Sequence, residues 1–486
     1  VHAVLTLILL LVASLTALLA VLTIRALGTP RAPAPGTLDP SVLEPFSGTE
    51  DKLAALVRLP TVSRFEEAQE DPAPFQDFPR ELERLFPLVH ARLRRDAVGA
   101  RGLLYEWTGA DPGLAPAILA AHYDVVPPGA IPWNRPPFSG DVAEGWVWGR
   151  GSQDSKVTLT GILAAAERLL AEGLRPSRTV YFAFGGDEEV GGSRGAVALA
   201  RSLRERGVRA SFLVDEGAVV ADGILPFADR PLALVGIAEK GYVDVELVAT
   251  GAGGHAAMPP RSTAAGTLSR AVARLESRPF PARLTRTVRG FLSDLSPYVP
   301  FPLRLLFRSP GLSAFGLIKA FSAAPTTNAL VRTTQAATML SGSDKENVLP
   351  DRARAVINVR ILPGETVSGI LARMSSIVAR DGVTVRQAHE GLTIEPLPES
   401  PTDHEGYRAV RAALETANPE AAVIPYLVSA GTDSKHYVNM VQAIYRIAPI
   451  RQTSRDLEGI HGPDERISVE NVRRCALFYY ELMKGM

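Results

Sequence analysis

The sequence predicts an α/β protein: a larger domain built on a central, mostly parallel sheet, a smaller α+β unit inserted into it, and an apolar helix ahead of both. Three observations carry this expectation. Between about Lys52 and Val219, short unbroken apolar runs alternate with helix-like stretches, the pattern of parallel strands covered on both faces. At YVDVELVATG (242–251) and ARAVINVRIL (353–362) the texture changes to alternating apolar and polar residues, as in strands with one wetted face. Histidines and acids stand just past the ends of the unbroken runs, where open α/β sheets place their sites.

With 486 residues the chain is too long for one ordinary core. Its 46% hydrophobic and 21% charged content is that of a globular protein, and Lys+Arg 52 against Asp+Glu 52 leaves no excess of either sign. That balance argues against a protein that binds nucleic acid or membranes by bulk charge. Cys475 is the only cysteine, so a disulfide framework and a cysteine-rich zinc site are both excluded within the chain. Any metal must be held by His and carboxylates.

The first segment departs from this soluble picture. Residues 1–24 contain no Asp, Glu, Lys or Arg, and about 20 apolar residues are enough to cross a bilayer. A signal-peptide core is shorter and follows a basic start, so the expectation for 1–28 is an uncleaved anchor, with a signal segment as the alternative. Arg25 and Arg31 follow the span, and the positive-inside rule alone would leave the body cytosolic. Residues 29–48 are rich in Pro and Gly and read as a semi-rigid tether. The expected catalytic domain occupies 49–235 and resumes at 391–486, with the lid or dimerisation domain at 236–390 and an insertion within it at 280–325. The stretch RGFLSDLSPYVPFPLRLLFRSPGLSAFGLIKAF (289–321) is either core of the small domain or a lipid-binding surface.

In the first half, APAILAAHYD ends a strand, TLTGILAAAERLLAEG is helical to Gly173, and TVYFAFGG and ASFLVDEG are strands again. After the insertion, AAVIPYLVSAGTDS and HGPDERIS return to strand-then-loop text. The chemistry sits at these boundaries. On a strand, His122 and Asp124 of AHYDVVP share a face, which suits a ligand and the carboxylate that orients it, or simply a turn. Asp154 of GRGSQDSK precedes a helix, as a metal ligand or an N-cap would. Glu188 and Glu189 of GGDEEVGG follow a buried strand, where adjacent carboxylates repel unless a cation lies among them. One can bind metal while its neighbour takes a proton from water. Asp215 of LVDEG repeats the arrangement, and HGPDE supplies His461.

These motifs, in this order and with GGHAAMPP, NVLPDRARAVINVRILPG and SAGTDSKHY, resemble the aminoacylase and carboxypeptidase S group of two-zinc peptidases over nearly the whole chain after the tether. Within it the likeness is greatest to carboxypeptidase S and the enzymes that make and cleave N-fatty-acyl amino acids. The resemblance implies two Zn2+, with Co2+ or Mn2+ as substitutes in vitro. It implies that His122 and Asp215 bind one ion, Glu189 and His461 the other, and that Asp154 bridges them. Glu188 would be the general base and Asp124 would orient His122, while Glu216 matches no ligand position. It further implies that His255 polarises the scissile carbonyl with Asn347 nearby. Arg360 and the loop at Gly431 and Thr432 would grip the substrate carboxylate, although Arg360 could instead form a structural ion pair.

The expected function is hydrolysis of N-acyl amino acids, favouring long acyl chains and open to the reverse direction, or of C-terminal peptide bonds. A di- or tripeptidase is the alternative within the same chemistry, and a binding protein on a peptidase fold the alternative of another class. The expected partners are a small-molecule substrate, a membrane and a second copy of the chain, with no nucleic acid. The resemblance outweighs the charge pattern on topology and implies a body outside the cytosol, anchored or secreted.

Overall fold

A computed structural model describes residues 2–389 and 393–486. The expected boundary between residues 390 and 391 lies outside the described residues. The strands of the two larger sheets, in chain order, are β1 (Arg94–Val98), β2 (Gly102–Trp107), β3 (Ala117–His122), β4 (Val180–Gly185), β5 (Ala210–Asp215), β6 (Val220–Ala221) and β7 (Leu232–Glu239). Then come β8 (Gly241–Thr250), β9 (Thr334–Ser341), β10 (Arg352–Ile361) and β11 (Thr384–Gln387), followed by β12 (Ala422–Val428), β13 (Val441–Arg446) and β14 (Arg451–Gln452).

Ten of these make one sheet in the order β1-β2-β4-β3-β5-β13-β7-β6-β14, with β12 paired to β7. Its middle, β4-β3-β5-β13, is parallel, and every residue of β3, β4 and β5 is buried. Strands covered on both faces cannot alternate in polarity, which is why AILAAH, VYFAFG and ASFLVD read as unbroken apolar runs. The parallel register sets His122 beside Gly185 and Asp215 beside Arg446, so the acids and histidine that follow these strands emerge at one edge.

Helices Lys156–Ala171 and Val469–Lys484 pack together over one face of the sheet. Gly161 permits the approach, because a Cβ there would lie 2.6 Å from the Cys475 sulfur. Helix Ala196–Glu205 covers the other face through Leu199 and Leu203.

The remaining four long strands form a separate antiparallel sheet, β9-β10-β8-β11, backed by helices Ala264–Glu276 and Val367–Val378. Val243, Val245, Leu247, Ile357 and Val359 point to those helices, and the intervening residues face outward. Lys240 is the single residue between β7 of the large sheet and β8 of the small one.

The stretch around 289–321 differs from expectation. Helices Arg286–Leu295, Phe301–Phe307, Ala314–Phe321 and Pro325–Val331 do not join the core of the small sheet. Val288, Leu292, Leu295, Phe307, Leu317 and Phe321 instead pack on β7 and β12 of the large sheet, against Leu232, Leu234, Ile424 and Leu427. The small sheet is already closed by its own two helices, so the apolar side of the insertion finds its partner on the neighbouring sheet.

A buried ion pair fixes the loop before the Lys156–Ala171 helix. Glu465 meets Arg150 at 2.5 Å and accepts the backbone N–H groups of Gly151 (3.0 Å), Gln153 (2.8 Å) and Asp154 (3.3 Å). Removing one partner leaves the other charge buried and uncompensated. Arg150→Ala is therefore expected to lower unfolding stability by about 3–5 kcal/mol in urea titrations of the detergent-solubilised chain. A loss below about 1 kcal/mol, the size of an exposed pair, would show that the pair does not hold this loop.

Candidate active site

Three strand ends deliver the site. β3 ends in His122, whose Nδ1 lies 3.0 Å from the Asp124 carbonyl and 3.3 Å from the Asp124 carboxylate. That contact leaves Nε2 facing the edge. Asp124 is buried; it accepts the Ser63 hydroxyl at 2.6 Å and the backbone N–H groups of Glu188 (3.0 Å) and Glu189 (3.2 Å). One carboxylate thus orients both the imidazole and the turn after β4.

That turn separates its three acids. Asp187 folds back to accept the N–H groups of Arg194 (2.7 Å) and Gly195 (2.8 Å), while Glu188–Val190 make one turn of 3₁₀ helix that displays Glu188 and Glu189. Gly191 ends the turn at φ 99°, a conformation that costs glycine little.

Asp154 stands between two groups of donors. One oxygen is 3.0 Å from His122 Nε2, which also lies 3.2 Å from Glu216. The other is 3.2 Å from His461 Nε2, which lies 3.1 Å from Glu189. His122, Asp154 and Glu216 form one set able to hold a metal ion, and Asp154, Glu189 and His461 form a second. Nitrogen and carboxylate-oxygen donors, three to a set with one shared, fit a pair of divalent cations.

The electrostatics are those of a cation site. Burial opposes charge on His122, but Glu216, Asp124 and Asp154 outweigh it and hold the imidazolium well above its usual range. His461 is raised to about 10 by Asp154 and Glu189. Burial pushes Glu216 up to about 7 against the pull of His122. Burial, with Asp433 and Glu216 nearby, also holds Glu188 well above the carboxylate range.

Asp215, one of the expected ligands, lies outside both donor sets, and its neighbour Glu216 stands in one of them. The Asp215 carboxylate is buried and turned inward, accepting the N–H groups of Glu216 (3.0 Å) and Ser434 (2.8 Å), and it is Glu216 that reaches His122. β5 ends at Asp215, so the chain is already leaving the sheet when it places Glu216.

A cavity of about 240 Å³ lies beside Glu188 and Glu189. Gly431 and Lys435 line it from the large unit, and Lys240, Tyr242 and Arg360 from β8, β10 and the residue before them. Arg360 lies over the Tyr242 ring, 4.6 Å from its centroid. Thr432 is buried behind this wall, sharing a 2.6 Å hydrogen bond with Ser434. His255 and Asn347 stand apart from these donors. Both are exposed beside a short antiparallel pairing of Gly254–His255 with Val348–Leu349, where the Ala256 N–H donates to the Asn347 carbonyl and the Ala257 N–H to His255 Nδ1. Lys435 and Glu216 were not expected here; only their places beside the anticipated Thr432 and Asp215 pointed to them.

The fold and these donors define the class: a metal-dependent hydrolase with its site at the edge of a parallel sheet. Residues 118–485 match the model of peptidase family M20/M25/M40, and the chain belongs to that family. It is 36% identical over 446 residues to the mouse N-fatty-acyl-amino acid synthase/hydrolase PM20D1, covering 90% of this chain and 87% of that protein. It is 31% identical to carboxypeptidase S of Saccharomyces cerevisiae, covering 89% and 83%. Among solved structures, an M20 metallo-carboxypeptidase of Sulfolobus solfataricus superposes with a TM-score of 0.67 at 16% identity, over 90% of this chain and 99% of that one. Human carnosine dipeptidase 1 gives 0.61, also at 16%, over 92% and 99%.

His461 supplies a test of the donor sets. Its folded value lies above its unfolded one of 6.5, so in chelator-treated protein its contribution to stability is full below pH 6.5 and is lost as pH rises through about 10. Histidine NMR resonances should follow that titration. Adding a divalent cation at neutral pH should abolish it and release protons into a weakly buffered indicator solution. Metal uptake without proton release would show that His461 is not a ligand.

Proposed function

We propose that this protein is a two-zinc hydrolase that cleaves the amide bond of N-acyl amino acids, favouring long acyl chains, or a C-terminal peptide bond, and releases a free amino acid. The observation that carries this reading is the cavity beside Glu188, whose wall bears Lys240, Arg360 and Lys435. Arg360 and Lys435 beside one general base suit a substrate with a free carboxylate next to the bond being cut, while the Lys240 ammonium is taken up by the Ala329 and Arg332 carbonyls. The names of the relatives, N-fatty-acyl-amino acid synthase/hydrolase and carboxypeptidase S, support the same substrate classes.

In this mechanism His122, Asp154 and Glu216 would hold one ion, and Asp154, Glu189 and His461 would hold the other. Bound there, the ions would acidify a water and polarise the scissile carbonyl. Glu188 takes the proton from the attacking water and passes it to the leaving nitrogen. Asp124 keeps Glu188 in place through its backbone N–H and His122 through its ring. Lys435 and Arg360, with the Gly431 loop, hold the substrate carboxylate. His255, exposed and not among the residues that line the cavity beside Glu188, would stabilise the oxyanion of a second copy's site. In that dimer the small sheet acts as the lid.

Helix His2–Leu27 is long and apolar enough to cross a membrane, and we read it as an anchor with the body outside the cytosol. Glu188 and both donor sets weigh against a binding protein without catalysis.

The direct test incubates the full chain with zinc and a mixture of N-long-chain-acyl amino acids and dipeptides, followed by mass spectrometry with a chelated control. Chelator-sensitive loss of the acyl amino acids supports the reading; loss of dipeptides alone would make the protein a dipeptidase. Glu188→Gln should keep its metal content while kcat falls about 100- to 10,000-fold, the usual contribution of a general base. Near-normal turnover would remove Glu188 from the mechanism. Lys435→Met should raise KM for substrates with a free carboxylate and leave KM for their methyl amides unchanged; equal effects on both would assign the carboxylate to other residues.

A further inference from the structure

The insertion helices have a second face that the catalytic reading does not use. From residue 295 to 343 the chain contains no Asp or Glu but carries Arg304, Arg308, Lys319 and Arg332. Its inner side is accounted for by the packing of Phe307, Leu317 and Phe321 on the large sheet. The outer side remains apolar too: Phe315 is 86% exposed, Leu312 48% and Phe301 43%. Leu312, Phe315 and Lys319 follow one another at spacings of three and four, so they share one face of the Ala314–Phe321 helix and its approach. A soluble surface does not gain from a bare phenylalanine and leucine set among basic residues, whereas the headgroup boundary of a bilayer accommodates both.

The position of this face identifies its occupant. Helix His2–Leu27 is exposed along its length except at Leu22 and Ala26 near its C-terminal end, and its contact is with helix Phe301–Phe307. The tether continues the contact: Thr29 and Pro30 share a cavity with Tyr298 and Arg308, and Arg230 holds the Pro33 carbonyl at 2.7 Å while lying over the Tyr298 ring. The exposed apolar face therefore adjoins the end of the helix long enough to span a membrane.

We infer that the outer face of the insertion, centred on Phe315 with Leu312, Phe301 and Lys319, lies in the headgroup boundary of the bilayer that holds helix His2–Leu27. This rests on the anchor reading given above. Lys240 ties the same insertion to the cavity wall through the carbonyls of Ala329 (3.1 Å) and Arg332 (2.9 Å), so the lipid-facing surface and the substrate cavity belong to one connected piece.

The experiment uses the full chain in phosphatidylcholine–phosphatidylglycerol vesicles. Cys475 is buried, so a thiol introduced at the surface is labelled selectively with an environment-sensitive fluorophore. Three variants are compared: Phe315→Cys, Leu10→Cys within the apolar helix, and Arg80→Cys, whose side chain is 70% exposed on the catalytic body. The expected result is a blue-shifted emission quenched by spin-labelled lipid at positions 315 and 10, and neither effect at 80. A label at 10 in lipid with a label at 315 fully in water overturns the inference and leaves the anchor intact. Labels in water at both positions overturn the anchor reading itself. A blue shift at 315 that appears without lipid and grows with protein concentration assigns the face to a second copy and overturns the inference as well. Phe315→Glu with Lys319→Glu, made in the Leu10→Cys background, should keep position 10 in lipid. With a third thiol at Leu312, the same double change should reduce lipid quenching at that site at least several-fold.

Discussion

Mutual repulsion among carboxylates governs this molecule. Asp154, Glu188, Glu189 and Glu216 are gathered at one edge of a sheet whose strands are otherwise sealed from water, and burial raises the cost of each charge. The fold opposes that cost with two imidazoles, each held between carboxylates, and with backbone N–H groups spent on the acids that are not needed. Asp187 and Asp215 are both satisfied internally in this way. Sorting five consecutive-looking acids into those displayed and those tied down is the task of the turns after β4 and β5.

Much of this arrangement was legible in the sequence because buried parallel strands cannot hide their boundaries: AILAAH, VYFAFG and ASFLVD stop where the polar residues begin. The separate small sheet was equally visible in the alternation of YVDVELVATG and ARAVINVRIL, since an antiparallel strand with one wet face writes its geometry into its residue order. That the Glu216 side chain, and not that of Asp215, turns toward His122 was not visible. Alternation fixes direction only while the strand lasts, and these two acids straddle its end. Nor could the sequence say which neighbour the insertion packs against. A helix apolar on two sides announces that it needs partners, and only the completed sheets show which partner surface is left open.

The cavity is assembled from both units, with Glu188, Gly431 and Lys435 on one side and Tyr242 and Arg360 on the other. Lys240 alone joins β7 to β8, and its ammonium is held by carbonyls of the insertion. Burial lowers that ammonium to about 7, so its hold on the junction is strongest while it remains charged. The side of the cavity that carries Tyr242 is therefore coupled to the insertion through the residue that precedes its strand.

The loop that presents Asp154 is shaped by Glu465, 311 positions further along the chain. That loop has no template until Glu465 has been made, so Asp154 is fixed in place only after the 311 positions that separate the two have been synthesised. A chain cut short by a premature stop or a C-terminal nick would carry most of the donors yet lack the means to align them.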